Sequence, residues 1–297
     1  MSYLPFSPDP RPLGKSGISV FPVAWGMWRF AGDDVAAARA KLEAALEAGV
    51  TLFDTADIYG PDNGEPFGAA EALLGRVFAE SLGLRDRMVL ATKGGIVMGT
   101  PYDSSAAYLE QAIDASLARL GVERVELWQI HRPDILTHPH EVARALEKAH
   151  AAGKIAAVGV SNFTTWQTAA LAEALRVPIA STQPEFSALA LDPIRSGLLD
   201  QAMMLDLAVL AWSPLAGGRL AEPTEVGTLL DAKAEEAGVS RSATALSWVM
   251  AHPARPIPII GTQRPERIAE IPQALVPRWT RAEWYAVLQA SIGERLP

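Results

Sequence analysis

Short apolar runs alternate with longer amphipathic stretches along nearly the whole chain. VFPVAW at 20–25, TLFD at 51–54, MVLAT at 88–92 and VELWQI at 125–130 open the series. IAAVGV at 155–160, IASTQ at 179–183, LAVLAW at 207–212 and IPII at 257–260 complete it. Runs this short and bulky predict strands buried on both faces. The intervening stretches predict helices. The first starts at a cap on Asp33 or Asp34, runs through AAARAKLEAALEA and stops at Gly49. Others are predicted near 68–80, 104–120 (ended by Gly121), 139–152 (ended by Gly153), 164–175 and 195–204. The last lie near 225–251, with a break at Gly238, and near 265–271 and 280–291.

Eight strand–helix units in this order predict parallel strands joined by right-handed crossovers. Eight such units in 297 residues favour an α/β fold, one closed (β/α)8 TIM barrel forming a single domain over 1–297. An open dinucleotide-binding sheet would place G-x-G-x-x-G after its first strand, and none stands there. The opening RPLGKSGISVFPVAW, with Ser16-Gly17 between two short runs, predicts a β-hairpin that plugs the barrel floor.

Composition narrows the function classes. A net charge of −8 argues against broad binding to nucleic acid or to anionic membrane. The absence of cysteine removes disulfides, thiolate catalysis and thiolate metal sites. MSYLPFSPDPRPLG lacks a basic region followed by an apolar one, and no run is long enough to span a bilayer. A cytoplasmic, soluble protein is expected, and a monomer, since no exposed apolar helix face is evident.

Four polar residues follow directly on or near predicted strand ends: Asp54 and Tyr59 in TLFDTADIYG, Lys93 in MVLATKGG and His131 in VELWQIHRPD. In a parallel barrel these side chains emerge at the face where barrel enzymes do their chemistry. A lysine beside a tyrosine stabilises the phenolate and should lower its pKa, and Asp54 can supply the lysine's counter-charge. His131 can orient a substrate oxygen or share the proton. Together they make a general acid aimed at a carbonyl. No nucleophile or metal cluster accompanies them, so a nicotinamide cofactor is the natural hydride source. Plainer roles exist for each residue alone: Asp54 as a cap, Tyr59 as a half-buried aromatic, Lys93 as a Schiff-base lysine of a barrel aldolase. The company of the other three weighs against these.

The same residues carry a family resemblance. Asp-x-x-x-x-Tyr, a strand-end Lys in ATKGG and a strand-end His in QIHRPD resemble the catalytic tetrad of the aldo-keto reductases. The likeness continues through GVSNF at 159–163, TQPEF at 182–186, AWSPLAGGRL at 211–220 and PIIGTQRPERIAE at 258–270. It is strongest to bacterial members whose tyrosine follows Asp-Ile and whose histidine precedes Arg-Pro-Asp. The resemblance implies reduction of aldehydes or ketones to alcohols, with Tyr59 as general acid, Lys93 and Asp54 tuning it, and His131 orienting the substrate. It implies NADPH rather than NADH. Ser161, Asn162 and Gln183 would hold the nicotinamide carboxamide, with Trp212 stacked on the ring. Ser213, Leu215, Gly217 and Arg219 would wrap the pyrophosphate. Gly261, Thr262, Arg264 and Arg267 would hold the 2′-phosphate, with Glu270 near the adenine. Gly26 and Met27 would touch the cofactor first, with Trp28, Ile58 and Phe30 as apolar walls for a small carbonyl substrate.

Two positions depart from the family pattern. Ile271 stands where many members have asparagine, and Phe186 where many have tyrosine. No metal is expected; His138 and His140 fall at a helix start without further ligands, and His150 and His252 lie near helix ends, in structural roles. A runner-up function on the same fold is a regulatory protein that keeps the bound nucleotide as a redox readout.

Overall fold

Helix boundaries follow the capping chemistry closely. Asp34, with an extended backbone, accepts from Ala37 N and starts helix α1 (Val35–Glu47). Ser105 starts the helix Ala106–Leu120 in the same way, and Gly121 ends it in the left-handed region. Gly238 breaks the 225–251 stretch into Glu225–Ala237 and Arg241–Met250, the second capped by Ser240. The predicted 265–271 helix is shorter. It ends as Pro265–Ile268, and a 3₁₀ turn, Ile271–Leu275, follows because Pro272 disfavours helical backbone at the residue before it.

The computed structural model describes residues 2–296. A small antiparallel hairpin joins β1 (Arg11–Pro12) to β2 (Ser19–Val20). The barrel strands are β3 (Ala24–Gly26), β4 (Leu52–Asp54), β5 (Val89–Gly94), β6 (Val125–Ile130), β7 (Ile155–Ser161), β8 (Ile179–Gln183), β9 (Ala208–Ala211) and β10 (Ile257–Ile260). They pair in sequence order, all in parallel, and β10 returns to β3 to close the ring. The predicted first strand at 20–25 is therefore divided: Val20 ends the hairpin, and only residues 24–26 enter the barrel. Pro22 accounts for the gap, since it has no N–H to give a ladder.

The hairpin does close the floor. Leu13 and Val20 pack in one apolar cluster with Ala24, Leu52, Ala91, Leu127, Ala157, Leu210 and Ile257 from the lower ends of the strands. Gly14 lets the hairpin approach this closely. Its φ is +52, and a Cβ there would lie 2.6 Å from the Ala180 carbonyl oxygen. A second, larger core lies between the barrel and its helices, with Trp25, Phe53, Trp128 and Trp248 fully buried. Phe186 and Ile271, the two departures from the family pattern, are both part of it.

Candidate active site

Strand alternation turns Asp54, Lys93 and Gln129 into the barrel above the apolar floor, one from each of three neighbouring strands. Lys93 is fully buried. Its ammonium donates to Asp54 Oδ2 at 2.6 Å and to the Thr55 carbonyl at 2.8 Å. Burial opposes this charge, but Asp54 and then Tyr59 outweigh it and hold the Lys93 pKa above its ordinary value. A cationic, doubly bonded lysine is the opposite of the neutral amine that a Schiff base requires.

Tyr59 sits on the loop after β4, its ring centroid 5.1 Å from Lys93 Nζ and 5.9 Å from the His131 ring, edge to face. The acidity of Tyr59 runs opposite to what a neighbouring lysine alone would give. Burial pushes its pKa up, the Asp54 charge adds to that, and the pull of Lys93 does not overcome them. The phenol is thus held protonated. His131, immediately after β6, is pushed well below the usual histidine range by burial and by the Lys93 and Arg132 charges. It is neutral at neutral pH, and its Nδ1 is buried without a partner among the described residues. The structure therefore brings together all four residues singled out in the sequence.

Gln129 and the Thr55 carbonyl were not anticipated. Gln129 Nε2 donates to Asp54 Oδ1 at 3.3 Å, and Gln183 Nε2 donates to the same oxygen at 3.0 Å. The available signal for Gln129 was a polar residue inside an apolar strand, two positions before His131. Behind the site, Asp57 is buried and donates its backbone N–H to the Lys93 carbonyl at 2.9 Å. Burial, followed by repulsion from Glu71, raises the Asp57 pKa to about 8 against the attraction of Arg119 and Lys93. Glu71 is itself buried, pairs with Arg119 at 2.7 Å and accepts from Thr92.

A profile of the Aldo/keto reductase family matches residues 22–291. The chain belongs to the aldo/keto reductase family. A "6-dehydroglucose reductase" of Novosphingobium aromaticivorans is 58% identical to it, with both chains covered in full. A protein of the same name from Agrobacterium fabrum is 37% identical over 92% of this chain and 95% of the relative. A glycerol dehydrogenase from Gluconobacter oxydans has the same architecture, with a TM-score of 0.84, 27% identity and 98% of each chain covered. The chain is an oxidoreductase of carbonyl groups, in a family that uses nicotinamide cofactors.

The residues expected at the cofactor follow or end the strands at the same barrel face. Gly26 ends β3, Ser161 ends β7, Gln183 ends β8, and Gly261 and Thr262 follow β10. Asn162 has φ +60, donates to Ser161 Oγ at 2.8 Å and accepts from Trp212 Nε1 at 2.9 Å. Ser213, Ala216, Gly217 and Gly218 all have positive φ, and the Ala216 and Gly218 N–H groups close tight turns onto the Ser213 and Leu215 carbonyls at 2.7 and 3.0 Å. Leu215 and Arg219 lie in this loop, and Arg219 Nε donates back to Ala216 O at 3.0 Å. Arg264 and Arg267 are exposed, as is Glu270. The Arg264 guanidinium pairs with Glu266 at 2.6 Å, both side chains exposed.

On the substrate side, Trp28 is 44% exposed and its Nε1 donates to Asp62 Oδ2 at 2.9 Å. Ile58 is half-buried beside Tyr59. Phe30, expected as a third apolar wall, is fully buried instead; it packs edge-on against Trp25 at 5.7 Å and faces the core. Met27 is likewise fully buried, and its N–H donates to the Asp54 carbonyl. His138 caps its helix by accepting from His140 N at 3.2 Å.

Proposed function

We propose that this chain is an NADPH-dependent reductase of a hydroxylated aldehyde, with 6-dehydroglucose as the first candidate substrate. The observation that carries the reading is the buried Lys93–Asp54 pair beneath a protonated Tyr59, with a neutral His131 at its side. Tyr59 donates its proton to the carbonyl oxygen. Lys93 stabilises the phenolate left behind, and Asp54 keeps Lys93 charged and in place. His131, neutral, donates a hydrogen bond that fixes the carbonyl oxygen near Tyr59. The nicotinamide supplies the hydride when bound.

Ser161, Asn162 and Gln183 would hold the carboxamide, Trp212 the ring face, and the 213–219 loop the pyrophosphate. Gly26 would line its entry, whereas Met27 packs into the core with its N–H given to the Asp54 carbonyl. Thr262, Arg264 and Arg267 favour NADPH over NADH, because an exposed ion pair gives little and yields a guanidinium to a phosphate at small cost. Trp28 offers an indole face, and Asp62 and Asn63, which bond to its N–H and its carbonyl, bring polar groups beside it that suit a sugar. The two relatives named for 6-dehydroglucose point to the same class.

The test is oxidation of NADPH and NADH with 6-dehydroglucose, glyceraldehyde and apolar aldehydes. Faster turnover with NADPH and the sugar aldehyde is expected. Equal use of both coenzymes would remove the 2′-phosphate assignment, and preference for apolar aldehydes would remove the sugar.

A further inference from the structure

Opposite the face just described, at the lower ends of β9 and β10, the barrel floor holds an unpaired buried cation. Arg11 opens β1 and is only 3% exposed. Its Nη1 donates to the Pro256 carbonyl, but its Nε has no partner among the described residues. Burial and then the neighbouring Arg255 charge pull its pKa down to about 9, and no carboxylate among the described residues acts on it. A buried charge without a counter-charge is costly, and folded proteins rarely leave one. The hairpin would be tied down as well by a neutral side chain reaching Pro256, so the cation itself calls for an explanation.

Arg11 and Arg255 stand in the wall between two cavities. The larger has a volume of 710 Å³ and is lined by Phe6, Met250, Trp284, Tyr285 and Leu288. Three arginines (Arg11, Arg255 and Arg281) border it, and no acidic residue among the described residues does. In the smaller cavity, of 460 Å³, the one acid, Asp206, pairs with Lys15 at 3.2 Å. An apolar concavity with a few convergent groups of one charge is the form of a small-molecule site. Guanidinium pairs match a carboxylate, and the aromatic and aliphatic lining matches a hydrocarbon body.

We propose that this floor cavity binds a medium-chain alkyl carboxylate, its head between Arg11 and Arg255 and its chain against Trp284 and Leu288. The ligand supplies the missing counter-charge and covers apolar surface in one step.

Calorimetric titration of the full-length protein with decanoate and with decanol tests this. Decanoate is expected to bind one per chain and to raise the melting temperature. Decanol should bind at least tenfold more weakly. Arg11→Gln risks misfolding, since that residue is buried in the hairpin. Arg255→Gln is therefore the deciding variant: it lies at an exposed position and should weaken decanoate binding at least tenfold while melting normally without ligand. Equal binding of decanol and decanoate overturns the proposal. So does unchanged decanoate affinity in Arg255→Gln with competitive inhibition of turnover, which would put the ligand at the carbonyl site. No binding of decanoate overturns it too.

Discussion

Gln183 Nε2 donates to Asp54 Oδ1 across 3.0 Å, joining residues 129 positions apart in the chain. Asp54 thus divides its two oxygens, one to Lys93 and the other to Gln183 and Gln129. A residue proposed to hold the cofactor also steadies the carboxylate that keeps Lys93 charged.

Gln183→Leu removes one donor from a buried carboxylate. Hydrogen bonds to charged groups contribute about 1.5–3 kcal/mol, so a loss of that order is expected in urea unfolding. Cofactor affinity should fall in the same variant. A stable protein with weakened cofactor binding would detach the two roles.

Tyr59→Phe keeps the ring that meets His131 edge to face but removes the proton. Positioned acid–base groups contribute about 10²–10⁴-fold to rate, and kcat should drop by that order. Cofactor binding, followed by tryptophan fluorescence, should persist. Retained turnover would remove Tyr59 from the mechanism.

Asp57 gives a pH signature in stability. Its pKa lies near 3.8 when unfolded and rises to about 8 in the fold, so the folded state binds the extra proton between those values. The contribution is present in full below the unfolded pKa and is lost as pH climbs through about 8. Asp57→Asn should flatten the decline of stability across that window. Parallel profiles for the two proteins would mean that the carboxyl is not held neutral.

Gly159 of β7 faces the barrel centre, where a side chain has no room. A Cβ there would overlap the Ser181 hydroxyl and come within 2.8 Å of Gln129 Cγ. Overpacking of this kind costs about 1–3 kcal/mol. Gly159→Ala should therefore lower the melting temperature, and by displacing Gln129 it should also slow turnover. A variant with wild-type melting would show that Gln129 can move aside freely.

Much of this site was legible because barrel geometry collects strand ends at one face, so Asp54, Lys93 and His131 needed only their apolar runs to be placed. Tyr59 followed from its spacing to Asp54. Thr55 was illegible for a plain reason: its contribution is a backbone carbonyl, which every residue carries. The direction of the Tyr59 pKa was misjudged because Lys93 is visible in sequence while burial is not. Phe30 stands two residues after Trp28, yet its contact with Trp25 places it in the core. In the first strand, the apolar run concealed Pro22, which separates a hairpin residue from a barrel strand. Asp57 shows the same limit, since its proton depends first on burial and then on Glu71, which arrives from a helix distant from the strand end.

The pairing of Ile259 with Ala24 closes the ring between strands near opposite ends of the chain. Contacts so distant in sequence must offset a large loop-closure entropy before they stabilise anything. During synthesis, the edges of β3 and β9 stay open until the segment near residue 260 has left the ribosome. A chain stalled short of that point would present two unpaired strand edges, which makes a truncated product prone to aggregate rather than a smaller working enzyme.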